Sequence, residues 1–196
     1  LLTLLASVSC SPRSKAMEGI RAFHADMTST KGNGIYQYEI DGIYEEQECK
    51  ARKNGYHFVT YPPDCLTFYP WMDGNRYFLI NAQDIDEDGD GILSCKKMEI
   101  RQELNPMQFV ILTIKYMVLN PKLEWEASHS NFIVGKNKAV SHTEGVAIAR
   151  GRNPRVKGEK GSILGLVKEV DGEIVAAKAF KAASSRWSTA SFESSL

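Results

Sequence analysis

Neither sign of charge dominates these 196 residues, no apolar run is long enough to cross a bilayer, and cysteine and histidine number only four each. Lysine plus arginine and aspartate plus glutamate stand at 24 each. A chain of zero net charge is a poor match for a strongly electrostatic partner, so nucleic acid is not expected. The longest apolar run, residues 107–119, is too short for a membrane-spanning helix. Cys10, Cys49, Cys65 and Cys95 include no Cys-x-x-Cys pair, which argues against a zinc or thioredoxin-like site. His24, His57, His129 and His142 are scattered. Serines adjoin two of them in His129-Ser130 and Ser141-His142, but sequence neighbours do not make a triad. Gly-x-Ser-x-Gly, the phosphate-cradling P-loop and His-Glu-x-x-His are all missing. An enzyme is therefore not the expectation. With 43% hydrophobic residues, the chain can build one large domain or two small ones.

What is present is first an acidic run, Asp84-Ile85-Asp86-Glu87-Asp88-Gly89-Asp90-Gly91-Ile92-Leu93-Ser94. Carboxylates so dense repel one another, and a hard cation with six to eight oxygen ligands relieves that repulsion. Glycine permits the sharp turn that wraps the backbone round an ion. The run resembles the loop of EF-hand proteins, with Asp86, Asp88 and Asp90 at positions one, three and five. Gly91 is then at the turn, the Ile92 carbonyl at seven and Ser94 at nine. Position twelve is Lys97 instead of the bidentate glutamate, and Glu99 lies two residues further on. The run is equally similar to the shorter Asp-x-Asp-x-Asp-Gly loops of secreted and surface proteins. The resemblance implies a Ca²⁺ site built from Asp84, Asp86, Asp88, Asp90, Ile92, Ser94 and Glu99. The alternative is an acidic, solvated turn.

The chain shows no initiating Met. Residues 1–9 form an apolar run before Cys10 that resembles the end of a secretory signal with a bacterial lipoprotein processing site, though a positively charged n-region is missing. That implies an extracytoplasmic protein, with membrane attachment only through a lipid on Cys10. A buried N-terminal helix or strand is the other reading. In an exported chain Cys49–Cys65 is the natural disulfide; in a cytosolic one the thiols stay free.

Along the chain, Met17, Ile20, Phe23 (or His24) and Met27 recur at helical spacing and predict a helix over residues 14–29. Short strands follow over 35–43, 56–61, 66–69 and 77–80, with 43–53 open between strand and helix. Residues 95–104 have helical character. Residues 107–119 are buried core, with β-branched content favouring strand. Residues 166–170 and 174–180, joined by Asp171-Gly172, read as a β-hairpin. The predicted fold is α+β and β-rich: an N-terminal helix packed on antiparallel strands, then a C-terminal β-roll or β-meander ending in a hairpin. The expected divisions are a signal or lipoprotein remnant over 1–10, an α+β domain over 11–127, a Gly-periodic β unit over 128–182 and a flexible tail over 183–196.

Gly151, Gly158 and Gly165 are spaced seven apart, with imperfect echoes upstream. Glycine is costly in a helix, so this period suggests short strands stacked as a small roll. Residues 132–166 resemble the β-roll head repeats of trimeric autotransporter adhesins and phage tail-fibre proteins. The resemblance implies a trimeric surface or virion protein that binds a glycan or protein ligand. Arg150, Arg152, Arg155, Lys157 and Lys160 lie close together, as a contact for anionic glycan or phosphate or as a solvated face. Tyr69, Trp71 and Tyr77 line a sugar patch or, more often for such residues, the core. The leading expectation is a non-enzymatic, secreted or surface-associated calcium-binding structural or adhesion protein. An intracellular EF-hand-like sensor and an exported hydrolase with its triad hidden in the fold are the alternatives.

Overall fold

The computed structural model describes residues 16–31, 34–71, 73–89, 91–183 and 187–192. Residues 1–10, with the expected lipoprotein site, lie outside them. β1 is Met17–Phe23, β2 Thr28–Ser29, β3 Tyr36–Gln37, β4 Ile43–Glu45 and β5 Tyr56–Val59. A 3-10 turn over Pro62–Thr67 leads to β6, Arg76–Glu87, and β7, Ile92–Glu103. The helix α1, Pro106–Leu119, precedes β8 (Ala127–His129), β9 (Phe132–Ser141), β10 (Val146–Glu159), β11 (Ile163–Val170), β12 (Glu173–Lys181) and β13 (Trp187–Ser191).

The antiparallel order β7-β5-β1-β6 closes on itself through β6–β7 pairing, with β4 added to β7. The result is a small closed barrel, which removes the edges an open sheet would leave unpaired. Phe23, Phe58, Phe78, Ile80, Met98 and Ile100 fill one core there. Gly19 is obligatory to this packing, because a Cβ there would lie 2.2 Å from Cδ2 of the Phe58 ring.

In the C-terminal half, β9, β10 and β11 run parallel. Val146 pairs with Phe132 on one side and Ile163 on the other. The chain therefore coils, and each turn adds a strand to the same wall. β10 kinks between Arg150 and Arg155, and its second half forms another wall with β9 and the antiparallel β13. Ala139, Ala147, Ala149, Val156, Leu164 and Leu166 pack between the walls. Val146, Ile148 and Ile163 face the other way, into the core that holds α1. Covered on both faces, β10 reads as the unbroken apolar run Val146-Ala147-Ile148-Ala149.

α1 begins at a capping box, in which Asn105 and Gln108 each accept from the other's backbone N–H, and Pro106 occupies its first turn. Phe109, Val110, Ile114 and Met117 join one core with Tyr61, Trp71 and Tyr77 from the first half and Phe132 and Val134 from the second. Trp71 lies 5.1 Å from Phe109 and 5.2 Å from Phe132, ring centre to ring centre. Barrel and roll thus share apolar packing across residues 127–128.

Several expectations are corrected. The N-terminal helix is β1, so the fold is β-rich without that helix. Ile20 and Ala22 serve one core and Phe23 the other, and burial on both faces imitates helical spacing. Residues 95–103 belong to β7, whose Met98 and Ile100 alternate with the charged Lys97, Glu99 and Arg101. Their helix-forming side chains are overruled by pairing with β4, β5 and β6. Residues 107–119 are helix, not strand. Residues 66–69 are not a strand, since the turn Pro62–Thr67 occupies their start. The C-terminal unit is a parallel coil, not a meander, and the tail contributes β13. The hairpin stands, as β11–β12, with Asp171 and Gly172 both at positive φ.

Candidate functional site

The acidic run is a β-hairpin tip, and strands rather than helices flank it. Asp84 and Asp86 lie in β6, and Ile92 and Ser94 in β7. Asp86 Oδ2 accepts from the Ala51 N–H at 2.8 Å, and Asp88 pairs with Arg52. The Asp84 carbonyl accepts from Cys49 Sγ at 3.0 Å. Ser94 is fully buried and donates to the Asn54 carbonyl. The tip is therefore docked on residues 49–54 through protein donors. Glu99 does not reach back: seven residues along β7 from Ile92, it stands roughly 23 Å away at strand rise. It pairs instead with Arg101 at 2.7 Å, which holds its carboxyl below the usual range. Asp90 lies outside the described residues. Among the described residues no three His, Cys, Asp or Glu side chains converge as metal ligands. The tip has one neighbour that no local pattern announced. Asp64 Oδ2 lies 3.6 Å from where a Gly91 Cβ would be, and burial pushes its pKa up to about 6.

Cys49 and Cys65 are not bridged. Cys65 is buried with Sγ donating to the Pro62 carbonyl, and burial and the nearby Asp86 charge raise the Cys49 thiol. Tyr69, Trp71 and Tyr77 are core, each about 95% buried. Ser141 and Ser162 both donate to the His142 carbonyl, so Ser141-His142 forms no hydroxyl–imidazole pair.

A sizeable recess lies on the barrel instead. It measures about 1000 Å³ and is lined by Arg21, Tyr36, Tyr38, His57, Phe58 and Tyr69, among others. It opens where β1 and β5 part, since Ile20↔Val59 is their one paired position. β1 puts Arg21 on the same side as Phe23. The guanidinium lies 5.4 Å from the Phe23 ring centre and 5.2 Å from that of Tyr38. Its Nη1 donates to the His57 carbonyl at 2.6 Å and its Nη2 to the Tyr38 hydroxyl at 3.2 Å. Among the described residues its Nε is buried without a partner, as is Nε2 of His57. Burial, and then the Arg21 charge, push the His57 pKa down, so the imidazole is neutral at pH 7. Glu45, Glu46 and Glu48 also line the recess, together with Lys31, Arg52 and Lys53, but among the described residues none of these carboxylates forms an ion pair with Arg21. A cation packed on rings beside a neutral imidazole suits a ligand carrying hydrogen-bond acceptors. In sequence, Arg21 reads as the polar side of a helix, and nothing local pointed to this role.

Residues 17–112 match a family model described as a domain of unknown function (DUF7666). The match begins with β1, covers the barrel and ends inside α1. No curated protein and no solved structure matches the chain.

Proposed function

We propose that the protein is a non-enzymatic binding and scaffold protein, in which the barrel recess takes a small anionic or acceptor-rich ligand and the β-roll is structural support. The observation that carries this reading is Arg21: a half-buried guanidinium, cradled by Phe23 and Tyr38 and without an ion pair among the described residues, lining the barrel recess. A bound carboxylate or phosphate supplies the missing countercharge. Thermal melts against a panel of small carboxylates, phosphates and neutral sugars test it. Anions should raise the melting temperature of the wild type and lose that effect in Arg21→Met and His57→Phe. A panel with no effect, or effects unchanged by both substitutions, removes the recess as a site.

Asp64 beside Gly91 favours a second role for the hairpin tip. In this reading Ca²⁺ fastens the tip weakly, Asp86 and Asp88 exchanging Ala51 and Arg52 for the ion and Asp64 adding a carboxylate. Calorimetry with Ca²⁺ on the wild type and on Asp86→Ala/Asp88→Ala decides it. Heat that the double variant abolishes supports calcium; none at millimolar Ca²⁺ leaves the tip a protein-docked turn.

A further inference from the structure

The outer wall of the roll presents its side chains as a grid. β10 lies between β9 and β13, with Arg155 opposite Lys138 on one side and Ser191 on the other. One step along, Lys157 is opposite Val140 and Thr189, and the next step brings Trp187 opposite Glu159. Ala139, Val156 and Ala190 point inward to the roll core, so alternation turns Lys138, Arg155, Lys157, Thr189 and Ser191 outward, and all five are exposed. Lys157 Nζ lies 4.4 Å from the centre of the Trp187 ring.

Three features set this wall apart from an ordinary solvated face. Lys138 and Arg155 are direct cross-strand neighbours, about 5 Å apart at the backbone, and like charges so placed repel. Among the described residues none of the three cations forms an ion pair; Glu159, the nearby carboxylate, accepts instead from Thr143 and lies 3.9 Å from His142 Nδ1. The aromatic ring and two hydroxyls flank the cations on the same face, beside the exposed apolar Val140.

We infer that this wall binds a linear anionic polysaccharide bearing carboxylate or sulfate groups. Its negative groups neutralise the opposed Lys138 and Arg155 and the adjacent Lys157. Thr189 and Ser191 hydrogen-bond sugar hydroxyls, and Trp187 covers an apolar sugar face. Nucleic acid suits the wall less well. It is three strands wide, about 10 Å, and its single ring gives no ladder on which successive bases stack. The site is separate from the barrel recess and does not depend on it.

Binding to polygalacturonate and to heparin, measured at low and moderate salt, tests the inference. The charge-removing variant is Lys138→Gln/Arg155→Gln/Lys157→Gln, and the control is Lys178→Gln/Lys181→Gln on β12. Trp187→Ala repeats the test with one substitution. The expected result is salt-sensitive binding of at least one polysaccharide. The triple variant should weaken it about tenfold or more, Trp187→Ala should weaken it as well, and the β12 control should leave it intact. No binding at low salt, equal loss in the control, or retention of a single-stranded DNA oligonucleotide but neither polysaccharide would overturn it.

Discussion

Arg150 and Glu169 clasp neighbouring parallel strands: Arg150 Nε donates to Glu169 Oε2 at 2.7 Å from a side chain only 1% exposed. Arg150 Nη2 donates to the Pro121 carbonyl at 2.5 Å, and the guanidinium lies 4.9 Å from the Trp125 ring centre. One cation thus ties β10 to β11 and to the segment after α1. Removing Glu169 strands that buried charge. Glu169→Ala should cost about 2–4 kcal/mol in urea unfolding, reduced from the fully buried case because Glu169 is partly exposed. Arg150→Met, which removes the charge and keeps much of the volume, should cost less. The opposite order would show that the pair is not what holds this segment.

Gly19→Ala should destabilise the barrel by about 1–3 kcal/mol, since its Cβ would overlap the buried Phe58 ring. Phe58→Leu in the same chain should recover part of that loss. A chemical-denaturation cycle over the two single variants and the double variant measures the coupling, and simple additivity would refute a steric cause.

Burial raises the Asp64 pKa to about 6, against about 4 unfolded. Between those values the folded state binds more protons, so this group's contribution lowers stability as pH rises from about 4 to 6. Above that range Asp64→Asn should be the more stable protein, by roughly 1–2 kcal/mol after allowance for its partial exposure. Urea midpoints of both proteins at pH 4.5 and 7.5 check the sign. An unchanged difference between the two pH values would mean that Asp64 ionises normally.

Asn105→Ala removes the side-chain acceptor for the Gln108 N–H and should cost about 1 kcal/mol. Because α1 packs between barrel and roll, the loss should appear in a single cooperative transition followed by circular dichroism and tryptophan fluorescence. Two separated transitions would show that the shared core does not couple the halves.

Local chemistry was legible wherever neighbours in sequence are also partners in space. Asp171-Gly172 specified the β11–β12 turn, because both residues must adopt positive φ there. The capping box of Asn105 and Gln108 and the Pro106 of the first turn went unread as the start of α1, because the apolar run behind them read as strand. The glycine period suggested short strands stacked as a roll, but Gly151 and Gly158 both lie inside the 14-residue β10 and Gly165 inside β11, so the period does not mark the turns between the parallel strands. Burial on two sides defeated pattern reading at β1, where each face of the strand enters a different core. The aspartate spacing fits two geometries, and the structure places Asp84 and Asp86 in β6. Two-residue spacing directs carboxylates inward when a loop wraps an ion, but it is also the repeat of an extended strand, which spreads them along one face.

By itself the sequence determined the β-rich character, the hairpin turn and the clustering of Arg155 and Lys157, because each follows from residues a few positions apart. Only the tertiary structure decided that the barrel closes, that Arg21 lines its recess beside His57, and that Lys138 and Trp187 come to flank the basic strand. Those relationships join residues tens of positions apart. They are set by strand register and shared burial, which no local pattern encodes.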